Sequence, residues 1–276
     1  MTPEAVSRKS NGTFLSDEPT DGAVSCQTIG IFRSNALSVF GAALGSEPKN
    51  AHTLHPWHVT TPALLAKEVH MNIAILTFEG FNEIDSFVSH HILTRVDIKD
   101  WNVAIASPTE TVTSTGGIRI TAQQPLEFAN EADAVLFGGS PRSRQIVEER
   151  AIMSRLKLDP KRQLIGSQCA GAWFLAKLGL FAGQPACTSL NSRAGLEAMG
   201  IRVLDRPFVA GGNVASAGGC LASPYLAAWV ISRLLGREAA EKALRIVAPV
   251  GQKTEYVAGV LGVVSPLATA DAGGVA

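Results

Sequence analysis

From Met71 onward, short apolar segments alternate with segments of helical periodicity, and this alternation restricts the fold more than any other feature. The runs 72–78 and 132–137 are typical of buried strands, whereas 83–95 repeats its apolar residues at helical spacing. Further strands are predicted at 101–107, 163–168 and 213–217, a β-hairpin at 111–121, and helices at 142–158, 170–180, 222–235 and 237–247. Strands separated by helices predict an α/β domain with a doubly wound, mostly parallel sheet covered by helices on both faces.

The patterned domain occupies only part of the 276 residues. Residues 1–70 mix Ser, Thr, Asn, Gly and Pro without a sustained period, which predicts a poorly ordered extension. Residues 71–258 carry the strand and helix pattern and form the predicted functional domain. Residues 259–276 are rich in Gly, Ala and Val without a period, which predicts a flexible tail.

The composition excludes several classes of function. The 24 Lys and Arg residues balance the 24 Asp and Glu residues, so neither nucleic acid nor an anionic membrane surface is an expected partner. No stretch approaches about 18 consecutive apolar residues, so a transmembrane helix is not expected. The cysteines are far apart and include no C-x-x-C pair, which favours reduced thiols in a cytoplasmic protein over a disulfide framework or a zinc site: Cys26, Cys169, Cys187 and Cys220.

The sequence predicts neither a metal nor a cofactor. His52, His55 and His58 make a metal site conceivable, but their run contains a proline and no cysteine or carboxylate, which favours chance histidines in a solvated segment. The pairs Gly211-Gly212 and Gly218-Gly219 are predicted to be late hairpin turns. A dinucleotide site would need a Gly-x-Gly-x-x-Gly motif between a strand and a helix, and neither pair lies in such a motif.

One strand-to-helix junction, Gly166 to Trp173, carries the strongest chemical signal. Cys169 lies between the predicted strand 163–168 and the predicted helix 170–180, with small residues around it, as in a nucleophile elbow. The N-terminus of the following helix is expected to favour the thiolate and to lower the pKa of Cys169 below its free value of about 8.5. An ordinary buried cysteine is the alternative, and packing is the role predicted for Cys187 and Cys220.

Two other loops are expected at the same edge of the sheet. The backbone N–H groups of 138–140 can form an oxyanion hole, although the glycines also suit an ordinary loop. Asp85 lies in the first strand-to-helix connection, and Glu83 is a second carboxyl group that can take its place. One of these two acids can instead cap the helix.

Four segments, in their order and spacing, resemble the ThiJ/PfpI superfamily, whose fold is similar to that of class I glutamine amidotransferases: 78–85, 135–139, 167–171 and 217–219. The resemblance implies that Asp85 hydrogen-bonds the catalytic Cys169, that the N–H groups of Gly139 and Ala170 form the oxyanion hole, and that the protein is a homodimer. Aspartate rather than glutamate at the acid position makes the chain similar to the isonitrile-hydratase-like branch, which converts an isonitrile to an N-substituted formamide.

The chain departs from this family at two positions. Ala170 stands where peptidase-type members carry histidine and isonitrile hydratases commonly carry a hydroxyl. Ser189 stands where many relatives have a histidine, in the strand that follows the elbow helix. All six histidines precede Cys169, and within the domain only His90 and His91 occur, on a helix where surface or packing roles are expected. Peptidase and amidotransferase activities, which need a histidine beside the cysteine, are therefore not expected.

What remains is a cysteine–carboxylate pair acting on a small molecule. Cys169 is predicted to attack an isonitrile or a related electrophile such as a 2-oxoaldehyde, while Asp85 shares the proton. Glu83, Ser140 and Ser189 are secondary candidates for the site. The alternative is a stress-response or regulatory protein in which Cys169 is oxidised to a sulfinate and no turnover occurs. A transcriptional role is not expected, because no basic helix-turn-helix segment follows residue 258.

Overall fold

The computed structural model describes residues 70–268. Over these residues the chain forms the following strands: β1 (Met71–Leu76), β2 (Trp101–Ser107), β3 (Thr111–Thr113), β4 (Arg119–Thr121), β5 (Gln124–Pro125), β6 (Ala134–Phe137), β7 (Leu164–Gln168), β8 (Phe208–Gly211) and β9 (Val214–Ala217). The helices are α1 (Glu83–Leu93), α2 (Phe128–Glu131), α3 (Ser143–Ile146), α4 (Arg150–Met153), α5 (Ala172–Lys177), α6 (Leu190–Ala198), α7 (Ser223–Leu235), α8 (Arg237–Val247) and α9 (Lys253–Ala268). Two 3₁₀ turns precede α5 and α7: Cys169–Gly171 and Cys220–Ala222.

Seven of these strands form one sheet in the order β5-β2-β1-β6-β7-β9-β8. All of its pairings are parallel except the last, in which β8 runs antiparallel to β9. The other two strands, β3 and β4, form the predicted antiparallel hairpin. The predicted doubly wound α/β fold is therefore confirmed.

Side chains on the two faces of the sheet enter two separate apolar cores. On β1, Ile73 and Ile75 pack into the core beneath α1, α7, α8 and α9, whereas Ala74 and Leu76 pack into the core beneath α2 to α6. All four are almost completely buried. Successive residues of a strand point to opposite faces, so a strand covered on both sides must be apolar throughout, as β1 is.

The predicted tail at 259–268 is wrong, because α9 continues through these residues. Val257, Val260, Leu261 and Val264 are buried in the core under this helix, at the i, i+3, i+4, i+7 spacing of one helical face. The intervening residues are also mostly apolar or glycine, so the face does not stand out in the sequence. Residues 269–276, like 1–69, lie outside the described part of the chain.

Three other elements differ from the predictions. The helix expected at 142–158 is two short helices, α3 and α4, because the backbone at Glu149 is extended. The strand that the resemblance implied around Ser189 is absent, and α6 begins at the next residue. Gly218-Gly219 leads into the 3₁₀ turn before α7 and is not a hairpin turn, although Gly211-Gly212 is one. Among the described helices, none combines the length and apolar character that crossing a bilayer requires.

Candidate active site

Four loops meet at the edge of the sheet where β1, β6, β7 and β9 end. These strands are parallel and adjacent, so their carboxyl ends lie side by side. The loop after β1 leads to Asp85 on α1, the loop after β6 contains Gly139, and Cys169 directly follows β7. The loop after β9 contributes Cys220. The fold thus brings together residues that are far apart in sequence.

Cys169 lies in a backbone conformation that side chains rarely adopt. Its φ angle is +55°, in the left-handed region, as the strained turn of an elbow requires. Gly171 permits the tight turn, because a Cβ at that position would overlap the backbone carbonyl oxygen of Phe137. Thr188 Oγ1 donates a hydrogen bond to the Cys169 carbonyl oxygen at 2.8 Å. These contacts fix the turn that carries the thiol.

Asp85 is a nearly completely buried carboxyl group beside this thiol. Its side chain is 1% exposed, and its Oδ2 accepts a hydrogen bond from the Gly139 N–H at 3.0 Å. Its other oxygen, Oδ1, is buried and has no hydrogen-bond partner among the described residues. Burial raises the pKa of Asp85 to about 6, against the lowering effects of Cys220, the Gly139 N–H and Cys169. Near neutral pH this carboxyl group can both hold and release a proton.

Gly139 allows the closest approach between the loops. A Cβ at this position would overlap Asp85 Oδ2 and would lie 2.9 Å from the backbone nitrogen of Ala170. The Gly139 N–H, expected in the oxyanion hole, donates instead to Asp85 and so positions the carboxyl group. The Ala170 N–H interacts with the Cys169 sulfur and acts to lower its pKa. Of the two expected oxyanion donors, only Ala170 is directed at the thiol.

Cys220 belongs to the site, and its predicted packing role is wrong. Its sulfur lies 3.9 Å from the Cys169 sulfur, and both thiols are only partly buried. Asn82 donates a hydrogen bond from Nδ2 to the Cys220 sulfur at 3.0 Å, and its Oδ1 accepts one from the Ile84 N–H at the start of α1. The sequence contains one indication of this role, because Cys220 comes just after the predicted strand 213–217, which ends at the same edge of the sheet as the strand before Cys169.

The expected low pKa of Cys169 is also wrong. Burial raises the pKa of this thiol, and the nearby negative charges of Asp85 and Cys220 raise it further, which together outweigh the Ala170 N–H. Burial and Asp85 raise the pKa of Cys220 as well. Three acidic groups so close together cannot all ionise, so at neutral pH they share protons and titrate as one unit.

A cavity of about 540 Å³ opens above these groups. Its remaining wall comes from the loop after β6, from α3 and α5, and from α6 with the residue before it: Ser140, Pro141, Arg144, Trp173, Ser189, Asn191, Ser192, Ala194 and Gly195. The Arg144 guanidinium lies over the Trp173 ring, 5.5 Å from the ring centre. A cleft of this size, lined by both polar and apolar side chains, suits a small organic molecule.

Two of the three secondary candidate residues line this cavity, and the third lies outside it. Ser140 and Ser189 line the cavity, where Ser189 Oγ lies 2.9 Å from Ser192 Oγ. Glu83 does not line it. The Glu83 carboxylate accepts hydrogen bonds from Ser114 Oγ at 2.5 Å and from the Gly116 N–H at 2.9 Å, which anchors the β3–β4 hairpin and lowers the pKa of Glu83.

No histidine of the described part of the chain reaches Cys169. His90 and His91 lie on α1 beside a separate cavity near Val247, and His70 lies next to Asp100. A Cys–His dyad is therefore absent from residues 70–268.

Three of the site groups also have the spacing of metal ligands. One side-chain ligand atom from each of Asp85, Cys169 and Cys220 lies within 4.8 Å of the other two. Two thiolates and a carboxylate suit zinc or a soft ion, but binding requires both thiols to lose their protons. Their raised pKa values oppose that loss when no cation is bound.

Comparisons with solved structures find the same fold. The VC2308 protein is 18% identical, with a TM-score of 0.59 over 69% of this chain and 100% of that chain. A cysteine-to-alanine mutant of the DJ-1 superfamily protein STM1931 from Salmonella typhimurium is 26% identical, with a TM-score of 0.56 over 65% of this chain and 99% of that one. Schizosaccharomyces pombe DJ-1 is 15% identical, with a TM-score of 0.56 over 65% and 100% of the two chains.

The sequence comparisons extend this result from fold to family. No curated protein sequence matches the chain significantly. The family model described as DJ-1/PfpI matches residues 71–233, which include Asp85, Cys169 and Cys220 and more than half of the chain. The protein therefore belongs to the DJ-1/PfpI family.

Proposed function

We propose that this protein hydrates a small isonitrile to the corresponding N-substituted formamide, with Cys169 as nucleophile and Asp85 as the group that moves protons. The observation that carries the proposal is the Asp85 carboxyl group, buried beside the Cys169 thiol with a pKa of about 6. Such a group can transfer protons near neutral pH without a histidine. The cavity above it is large enough for a small organic substrate.

In the first step, the Cys169 sulfur attacks the terminal carbon of the isonitrile R–N≡C. Asp85 accepts the thiol proton and delivers it to the same carbon, so the product of this step is the thioimidate R–N=CH–S–Cys169. The thiol does not need a low pKa beforehand, because its proton leaves as the carbon–sulfur bond forms. The buried Asp85 Oδ1, which has no other partner among the described residues, is an acceptor for that proton.

In the second step, water adds to the thioimidate carbon. Asp85 takes one proton from the water and passes it to the nitrogen, which gives R–NH–CH(OH)–S–Cys169. The carbon–sulfur bond then breaks, the hydroxyl proton returns to sulfur through Asp85, and R–NH–CHO leaves. The Ala170 N–H, directed at the sulfur, stabilises the negative charge that develops there as the bond breaks.

The test is formation of formamide from a panel of small alkyl and aryl isonitriles, with a 2-oxoaldehyde tested in parallel. Cys169→Ala and Asp85→Asn are each expected to lower kcat/KM at least about 100-fold. Cys187→Ala is the matched control, because Cys187 is buried away from the cavity and its loss should leave the rate unchanged. Turnover of the 2-oxoaldehyde alone would replace the isonitrile, and full activity in Cys169→Ala would overturn the proposal.

A further inference from the structure

The two thiols of the site face each other across a short gap. The Cys169 and Cys220 sulfurs are 3.9 Å apart, whereas the bond in a disulfide is about 2.05 Å long. About 2 Å of approach is within reach of side-chain rotation together with small shifts of the two loops. Both cysteines line the cavity, so a small oxidant that enters it meets both.

We propose that Cys220 is the resolving cysteine for Cys169: oxidation of Cys169 by a hydroperoxide is followed by formation of a reversible Cys169–Cys220 disulfide. In the first step the Cys169 sulfur attacks the outer peroxide oxygen and breaks the O–O bond, giving Cys169–SOH and an alcohol. The sulfur is oxidised, the peroxide is reduced, and the thiol proton passes to the leaving oxygen. In the second step the Cys220 sulfur displaces water from Cys169–SOH and forms the disulfide.

Neighbouring polar groups prepare both steps. Asp85 is close to both sulfurs and can take the Cys169 proton and return it to the alkoxide. Asn82 Nδ2 donates to the Cys220 sulfur, which positions that thiol in the cavity and favours its thiolate as it attacks. An ordinary packing cysteine has no need of this amide donor.

The backbone around Cys220 is tied to the elbow. Gln168, the residue before Cys169, donates from Nε2 to the carbonyl oxygens of Gly219 and Cys220. Ser223 Oγ donates to the Cys220 carbonyl oxygen at 3.0 Å. These hydrogen bonds keep the two cysteine-bearing turns together, so the sulfenic acid meets a thiol before a second peroxide arrives. The disulfide would then protect Cys169 from irreversible oxidation and block it as a nucleophile until a thiol reductant restores it.

Peptide mapping tests directly whether the Cys169–Cys220 disulfide forms. The reduced full-length protein, in buffer with a chelator to remove metal ions, is treated with hydrogen peroxide, alkylated and digested with trypsin. We expect the peptide 163–177, which contains Cys169, joined to the peptide 203–233, which contains Cys220. Dithiothreitol should separate them and restore alkylation of Cys169.

Variants of Cys220 test whether its thiol captures the sulfenic acid of Cys169 or only lies near it. Cys220→Ser is expected to form sulfinic acid on Cys169 at least about tenfold faster than the wild type, because no thiol captures the sulfenic acid. Cys220→Ala, which adds no polar group, should behave in the same way, and Cys187→Ala should still form the disulfide. Circular dichroism establishes that each variant is folded.

Three outcomes would overturn the proposal. The first is wild-type protein that accumulates sulfinic acid on Cys169 without joined peptides. The second is a disulfide that joins Cys169 to the peptide of Cys26 or Cys187. The third is equal oxidation rates in wild-type protein and both Cys220 variants. None of these measurements depends on isonitrile turnover, so the result is independent of the proposed activity.

Discussion

At the scale of single residues, burial of the Asp85 carboxyl group in the site lowers the stability of the folded protein. Its side chain is 1% exposed, one oxygen is hydrogen-bonded to the Gly139 N–H, and the other has no partner among the described residues. Burial disfavours the charged carboxylate, so the protonated form is favoured and the pKa of Asp85 rises to about 6. The same burial that makes the group a proton carrier makes its charged form destabilising.

The raised pKa of Asp85 predicts that the Asp85→Asn variant is more stable than the wild type, by an amount that depends on pH. Between pH 3.8, the ordinary value, and about 6, the folded protein binds more protons at Asp85 than the unfolded chain, so wild-type stability falls as the pH rises. The shift corresponds to about 3 kcal/mol above pH 6. Asparagine keeps an oxygen for the Gly139 N–H and carries no charge, so the variant should be about 1–3 kcal/mol more stable at pH 8.

Urea unfolding at pH 4 and at pH 8 measures this difference. At pH 4 the advantage of Asp85→Asn should largely disappear, because the wild-type carboxyl group is then mostly protonated in the folded protein. Glu83→Gln is a control on the same helix, since Glu83 has a lowered pKa and its substitution should be destabilising at pH 8. Equal stability of Asp85→Asn and wild type at pH 8 would contradict the argument.

The residues of the site were predictable to different degrees. Cys169 and Asp85 follow recognisable strand ends, so their meeting could be predicted from the rule that carboxyl ends of parallel strands converge. Cys220 follows an equally recognisable strand, but small neighbours suit both a packing cysteine and one that faces a site. The direction of its side chain depends on the φ angle of +84° at Gly219, which the sequence does not show.

At the scale of elements, α9 illustrates how a helix can be hidden by its own composition. Its buried residues follow helical spacing, but the residues between them are also apolar or glycine, so the two faces differ little in polarity. Burial against α7 and α8, rather than a strong amphipathic pattern, stabilises this segment. Sequence periodicity finds helices with one polar face and misses those without it.

Paired valine substitutions test this placement of α9. Val264 is fully buried in the core, whereas the adjacent Val263 is only partly buried. Val264→Ala removes two methyl groups from a packed site and should lower the free energy of unfolding by about 2 kcal/mol. Val263→Ala makes the same chemical change and should cost less than half as much. Equal, small effects in urea unfolding would mean that the segment does not pack as described.

The remaining elements also differ in how well the sequence predicts them. The dense apolar runs of β1 and β6 were predicted because they are buried on both faces and need no long-range information. The break at Glu149 between α3 and α4 was not predicted, and of the antiparallel strand β8 only its turn at Gly211-Gly212 was predicted. These features arise from packing between segments distant in sequence, which a local pattern does not encode.

At the scale of the whole molecule, the order of the sheet decides which residues become neighbours. Asp85, Gly139, Cys169 and Cys220 come from four loops that only the arrangement β1-β6-β7-β9 brings together. The two cores that hold this sheet include residues from Ile73 to Val264. The site therefore depends on nearly the full length of the described chain rather than on one local motif.

This dependence leads to a final prediction about the two ends of the chain. We expect a shortened protein that begins at His70 to fold and to keep the Cys169–Asp85 chemistry, because both described cores and the site lie within residues 70–268. A protein that ends at Gln252 should fail to fold stably, since it lacks Val257, Val260, Leu261 and Val264, whose burial contributes about 1.5–3 kcal/mol each. Thermal unfolding followed by circular dichroism, together with the rate of Cys169 alkylation, compares both with the full-length chain. If the protein that begins at His70 were unfolded, the prediction that residues 1–70 are a poorly ordered extension would be wrong, and that segment would have to supply contacts that the sheet needs.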